Sequence, residues 1–217
     1  MQRWIDTHLQ KRGNHFLCRV DECFMTDSFN LTGLAECIPN FLNVLQRILN
    51  TESTSDDSDS NPSASSKSEK EEEKELAAET LYGLIHARFI MTRRGSDEMK
   101  DKFYNNIFGV CPRVTCATSL LPIGLSDAPC EENVKTYCPM CDEIFEAKSS
   151  KVRGLDGAFF GISFPHMFFM MNPECRPAKK KSHGWVPKLF GFRIHPSAYQ
   201  SQEPEEETKD ENEDKEE

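Results

Sequence analysis

Four cysteines in two short pairs constrain this chain more than any other feature. They are Cys111-Pro112-Arg113-Val114-Thr115-Cys116 and Cys138-Pro139-Met140-Cys141, with 21 residues between the pairs. Each pair closes a short turn, and the prolines after Cys111 and Cys138 suit tight turns. Two turns that each present two thiolates complete a tetrahedron around one metal ion. Zinc fits this set, with four sulfur ligands at about 2.3 Å filling its coordination sphere. A filled sphere leaves no position for water or substrate, so the expected role is structural. The first pair has four intervening residues where two are commoner. Two disulfides, or four unrelated buried thiols, are the alternatives.

The compartment bears on that choice. The opening residues Met1-Gln2-Arg3-Trp4-Ile5-Asp6 lack an apolar signal core. The longest uncharged apolar stretch, Gly157 to Pro173, is interrupted by Gly161, Pro165 and His166 and is too short to span a membrane. The expectation is a soluble intracellular protein, cytoplasmic or nuclear, with reduced thiols. Cys18, Cys23, Cys37, Cys130 and Cys175 are then free, and a total of nine cysteines argues against a complete disulfide framework. The net charge of −10 is uneven. Glu52 to Glu75 carries −6 and Glu203 to Glu217 carries −8, which leaves +4 on the remainder. Acidic runs of this kind read as solvated and disordered. Nucleic acid is an unlikely partner on this balance, because a binder needs a basic face with interleaved aromatics.

The fold class expected is α+β: a helical N-terminal domain over 1–107, a small zinc ribbon over 108–162, an extended tail over 163–200 and a disordered acidic extension over 201–217. Trp4, Ile5, His8 and Leu9 have helical spacing, and Gly13 ends that helix. Pro39 opens a second helix with Phe41, Leu42, Leu45, Ile48 and Leu49 on one face. Residues 51–68, rich in Ser and Asp, read as a disordered loop. A strong helix starts near Glu69, with a stripe of Leu81, Leu84, Ile85 and Phe89. Arg93 and Arg94 fall in its last turn, Gly95 stops it, and Ser96 caps a short helix that ends near Phe103. Tyr82, His86 and Phe89 share one helix face, where His86 reads as a packing residue. Val134 to Tyr137 and Ala158 to Phe160 read as strands. The apolar, proline-punctuated run from Phe164 to Pro173 reads as a segment that packs along another surface, its own or a partner's. Arg176, Lys179, Lys180 and Lys181 read as a solvated basic cluster.

Several strings resemble one known family. They are Asn30-Leu31-Thr32-Gly33-Leu34, Leu81-Tyr82-Gly83-Leu84-Ile85-His86-Ala87-Arg88, Cys111-Pro112-Arg113-Val114, Leu121-Pro122-Ile123-Gly124-Leu125-Ser126-Asp127, Phe164-Pro165-His166-Met167 and Gly191-Phe192-Arg193-Ile194-His195-Pro196. They occur in the order seen in the regulatory beta subunit of casein kinase II, and the resemblance covers roughly residues 4 to 200. It implies a ribbon through which two copies dimerise, a C-terminal segment that grips the catalytic subunit, and a tetramer of two regulatory and two catalytic chains that tunes kinase stability and substrate choice. It implies no catalysis by this chain. Direct reading agrees, with no kinase-type Gly-rich loop, His-Arg-Asp or Asp-Phe-Gly. Departures mark a divergent paralogue. The acidic loop is longer and mixed with serines, the segment between the cysteine pairs is one residue shorter, and the tail after Gln200 is an acidic extension.

Residue by residue, the resemblance puts Pro112 and Val114 at the dimer contact, although spacing alone fits ordinary ribbon core equally. Leu120 and Leu121 are candidates for the same exposed patch. Phe190 and Phe192, either side of Gly191, match the paired aromatic anchors for the catalytic subunit, with Leu189 and Ile194 in support. On an extended strand such alternation points both rings to one side. Acidic residues three positions downstream make Ser53, Thr54, Ser66, Ser68 and Thr208 candidate acceptors for an acidophilic kinase. The other functional reading is a diverged zinc-ribbon protein that dimerises or self-associates without regulating kinase.

Overall fold

Short helices carry the first fifty residues: α1 (Trp4–Gln10), α2 (Glu22–Thr26), α3 (Leu34–Cys37) and α4 (Phe41–Leu49). The computed structural model describes residues 3–50, 64–178, 188–195 and 197–200, the side chains of 64–69 and 199–200 excepted. In α4 the buried positions are Val44 and Ile48, while Leu42 is exposed. At 100° per residue, Val44 lies about 200° round the helix from Leu42, so a stripe centred on Val44 turns Leu42 to solvent. The expected apolar face was therefore wrong at that residue.

The spine is α5, a 26-residue helix over Ala64–Phe89. It begins before the expected start near Glu69, so Ser66 and Ser68 belong to its first turns, outside a loop. Its first half is acidic, and residues 70–74 are exposed. In its second half Leu81, Tyr82, Leu84, Ile85 and His86 are buried on every side, so helices and ribbon must surround it. The chain leaves α5 at Phe89, and Thr92 caps α6 (Arg93–Tyr104) by accepting from the Gly95 N–H at 3.2 Å. The expected stop at Gly95 is thus corrected. Gly95 lies inside α6, where a Cβ would sit 2.2 Å from the Phe89 carbonyl oxygen. It is there for the close turn between two helices. Ser96 is buried too, and its hydroxyl accepts from Asn172 Nδ2 at 2.7 Å.

Beyond α6 comes an antiparallel sheet of β1 (Leu121–Ile123), β2 (Lys135–Cys138) and β3 (Glu143–Glu146), in that order. Its register pairs Leu121 with Tyr137 and Thr136 with Phe145. Pro122 is tolerated because β1 is an edge strand. Ala158 to Phe160, expected as a strand, lies at a 3-10 turn over Gly157–Phe159. The run expected to begin an extended tail is instead α7 (Phe164–Met171), followed by a 3-10 turn at Pro173–Cys175. Phe164 and Phe168 are fully buried and Phe169 nearly so. The Phe168 ring packs against Phe103 of α6 with centroids 5.6 Å apart.

Residues 1–180 form one compact unit with one continuous apolar core, rather than a helical domain and a separate ribbon. The reason is size. Three strands of three or four residues cannot cover their own apolar side chains, so they share the core of α5. Residues 181–217 form the second unit. Its described part is a hairpin of β4 (Lys188–Leu189) and β5 (Phe192–Arg193), with a helical turn α8 (Ser197–Gln200). Among the described residues, no helix is long and apolar enough to cross a membrane. Ser53, Thr54, Thr208, Lys179–Lys181, the acidic extension 201–217 and the loop up to residue 63 lie outside the described residues.

Candidate metal centre

The first cysteine turn is closed like a small hairpin. Val110 bridges Ser119, the Cys111 N–H donates to the Thr118 carbonyl at 2.9 Å, and the Cys116 N–H donates to the Arg113 carbonyl at 3.0 Å. The second turn begins where β2 ends. Its shape depends on Asp142, held at φ 55°, whose N–H donates to the Cys138 carbonyl at 2.9 Å. Asp tolerates this left-handed backbone better than most residues.

Together the turns bring four sulfurs to one point. All four Sγ atoms lie within 4.8 Å of one another. Cys111 and Cys141 are 3.8 Å apart, and Cys116 and Cys138 are 3.7 Å apart. A regular tetrahedron with metal–sulfur arms of about 2.3 Å has edges of about 3.8 Å. A disulfide would need about 2.05 Å, and every cysteine of the chain is free. The geometry removes the two-disulfide alternative, and the cluster is one that could hold a metal ion.

Donors surround the sulfurs. The Arg113 N–H points to Cys111 and the Thr118 N–H to Cys116, each two residues downstream of its cysteine. Burial pushes the Cys111 thiol up to about 11 and raises that of Cys141 as well. At Cys116 burial also opposes charge, but the Thr118 hydroxyl and amide together with Cys141 and Cys111 outweigh it and bring the thiol down to about 7. A dication held there would supply the charge that favours four thiolates. An ion pair between Arg113 and Glu143 ties the first turn to β3.

The seam between this centre and α5 is a second piece of local chemistry. Fully buried His86 donates from Nδ1 to the Phe159 carbonyl at 2.8 Å and accepts at Nε2 from the Cys18 N–H at 2.9 Å. Burial lowers its pKa to about 4, so it is neutral, in keeping with the packing role read from sequence. One turn earlier, Gly83 leaves room for the Phe159 ring, since a Cβ there would lie 2.1 Å from a ring carbon. Gly124 and Gly157 meet the same way, with the Gly157 oxygen 2.3 Å from where a Gly124 Cβ would be.

The candidate dimer residues separate into two groups. Pro112 is exposed and Val114 wholly so. Leu120 and Leu121 are buried in the chain's own core, which corrects their assignment to an exposed patch. Leu121 opens β1, against which α7 packs, and Leu120 precedes it in the same core. Val110 and Ile144, which the sequence reading did not single out, are about half exposed beside the first turn and on β3. The alternation of Glu143-Ile144-Phe145-Glu146 was the available signal.

In the second unit Leu189, Phe190 and Phe192 are exposed, with Ile194 at the margin. The two rings do not share an extended strand. Leu189 pairs with Phe192, and Phe190 and Gly191 form the two-residue turn with φ of 48° and 88°. Positive φ at both positions is the turn that matches strand twist.

Residues 3–193 match the family model described as casein kinase II regulatory subunit. The chain belongs to that family. It is 47% identical over 201 residues to casein kinase II subunit beta' of Drosophila melanogaster, covering 91% of this chain and 86% of that one. It is 40% identical over 201 residues to casein kinase II subunit beta of Schizosaccharomyces pombe, covering 89% and 80%. It is 41% identical over 196 residues to casein kinase II subunit beta' of Saccharomyces cerevisiae, covering 90% and 73%. A member of this family is a regulatory, non-catalytic subunit of casein kinase II, not the kinase itself.

Proposed function

We propose that this chain holds one structural zinc ion on Cys111, Cys116, Cys138 and Cys141, dimerises through the ribbon, and binds the catalytic subunit of casein kinase II through its C-terminal hairpin. Bound zinc would cross-link the two turns and leave no open coordination position. Pro112, Val114, Val110 and Ile144 supply the apolar surface that a second copy covers. The thiolates require a reducing, intracellular setting, cytoplasmic or nuclear.

The observation that carries the partner reading is Phe190. It occupies a left-handed backbone position that costs a non-glycine residue roughly 1 kcal/mol, yet its ring is 92% exposed. A bulky ring held in an unfavourable conformation with nothing of its own unit around it makes sense as an anchor for a partner. Mixing full-length protein with catalytic subunit and measuring mass by light scattering tests this. A complex of two regulatory and two catalytic chains, with about one zinc per regulatory chain by elemental analysis, is expected. A zinc-bearing dimer that leaves the catalytic subunit free would favour the diverged interaction protein instead. Phosphorylation at Ser53, Thr54, Ser66, Ser68 and Thr208 by the bound catalytic subunit is part of the same proposal, and mass spectrometry reads it directly.

A further inference from the structure

Thr118 touches both cysteines of the first turn. Its carbonyl accepts from the Cys111 N–H at 2.9 Å, and its Oγ1 lies 3.4 Å from the Cys116 sulfur. The backbone bonds that shape the turn therefore also fix where the hydroxyl sits, and a β-branched side chain has few rotamers with which to leave. A thiol at Cys116 can donate to this hydroxyl. A thiolate has no proton to give, so once Cys116 is a metal ligand the hydroxyl must be the donor. Cys116 is only half-buried, and it is a ligand that solvent-borne electrophiles can approach.

We propose that Thr118 is a positioning residue for the metal centre, its hydroxyl donating to the metal-bound Cys116 thiolate, orienting that sulfur and drawing electron density from it. This rests on the four-cysteine cluster taking a metal. Partners one shell out from a metal orient the ligands, and losing one typically costs about tenfold to a hundredfold in affinity. Valine has the shape of threonine without the donor, whereas serine keeps the donor.

The test uses full-length protein loaded with zinc or with cobalt(II). Zinc affinity is read by competition with a chromophoric chelator, and the sulfur-to-cobalt charge-transfer band by absorption. In Thr118→Val the zinc should be held about tenfold or more weakly, and the band should move to lower energy because sulfur is more electron-rich. Thr118→Ser should restore both. If Thr118→Val fails to fold by circular dichroism, Thr118→Ala against Thr118→Ser makes the same comparison. Unchanged affinity and band on loss of the hydroxyl, or a serine variant as impaired as the valine one, would overturn the role of Thr118 alone. A wild-type chain that takes up neither ion would overturn the metal reading, and Thr118 with it.

Discussion

Gly83→Ala should destabilise this protein, although on an isolated helix the same change would stabilise it. The new Cβ would lie 2.1–2.3 Å from three atoms of the Phe159 ring. Carbon atoms rest at about 3.5–4.0 Å, so ring or helix must retreat by roughly 1.5 Å. The ring has little freedom to do so. Phe159 is buried, and its carbonyl is held by His86 one turn along the same helix. Its turn is also pinned where Gly157 meets Gly124. Overpacking of this kind costs about 1–3 kcal/mol, and this contact belongs at the upper end. Against it stands about 1 kcal/mol of helix propensity gained from Gly to Ala. The net expectation is a loss of about 2 kcal/mol, roughly thirtyfold in the folded-to-unfolded ratio. Equilibrium urea unfolding followed by circular dichroism reads it. Phe159→Ala alone should cost about 3 kcal/mol, but distinctly less in the Gly83→Ala background, because the collision is then gone. A Gly83→Ala variant as stable as wild type, or additive losses in the double mutant, would refute the contact between ring and helix.

Three further outcomes are expected. His86 has its pKa lowered by burial to about 4 from an ordinary 6.5, so its contribution of about 3 kcal/mol is fully present above pH 6.5 and is lost as pH falls towards 4; urea midpoints of wild type should drop across that window more steeply than those of His86→Gln, and equal slopes would sink the idea. Val114→Asp should yield a folded monomer, since that side chain contacts little within its own chain, whereas Leu121→Asp should unfold the protein; sedimentation with circular dichroism separates the two, and a dimeric Val114→Asp variant would exclude that residue from the interface. Phe190→Asn suits the left-handed turn and removes the ring, so together with Phe192→Ala it should weaken binding to catalytic subunit by at least about thirtyfold, or 2 kcal/mol, without loss of dimer or zinc; unchanged affinity in calorimetry would rule the rings out as anchors.

The four-cysteine cluster was legible from sequence because its information is local. Each cysteine pair shapes its own turn, and the only long-range fact needed is that two turns meet. The seam was not legible, because Gly83 reads as a weak spot in a helix until the Phe159 ring is seen against it. Gly95 after Arg93-Arg94 carries a good local stop signal, but the close passage of α6 past Phe89 requires a glycine there and overrides it. Phe164 to Pro173 misled for a related reason. An apolar run with two prolines has no polar face to mark it as an amphipathic helix, so nothing in the run says that it forms α7 rather than an extended segment.

The hairpin shows how a period can mislead even when the residues are well chosen. Phe190-Gly191-Phe192 alternates as a strand does, and the usual hairpin signal of Asn-Gly or Asp-Gly is absent. Only Gly191 hints at positive φ, and one glycine fits a strand crossing as well as a turn. Once Leu189 pairs with Phe192, Phe190 is forced to the turn's first position, where its backbone gains nothing from being phenylalanine. Folding alone would favour asparagine or glycine there, so the ring is the feature that needs another explanation. Phe192 opens the returning strand β5 while Phe190 sits in the turn, so no single strand aligns the two exposed rings. The hairpin and the four-cysteine cluster belong to different compact units, so loss of either ring should leave the cluster untouched.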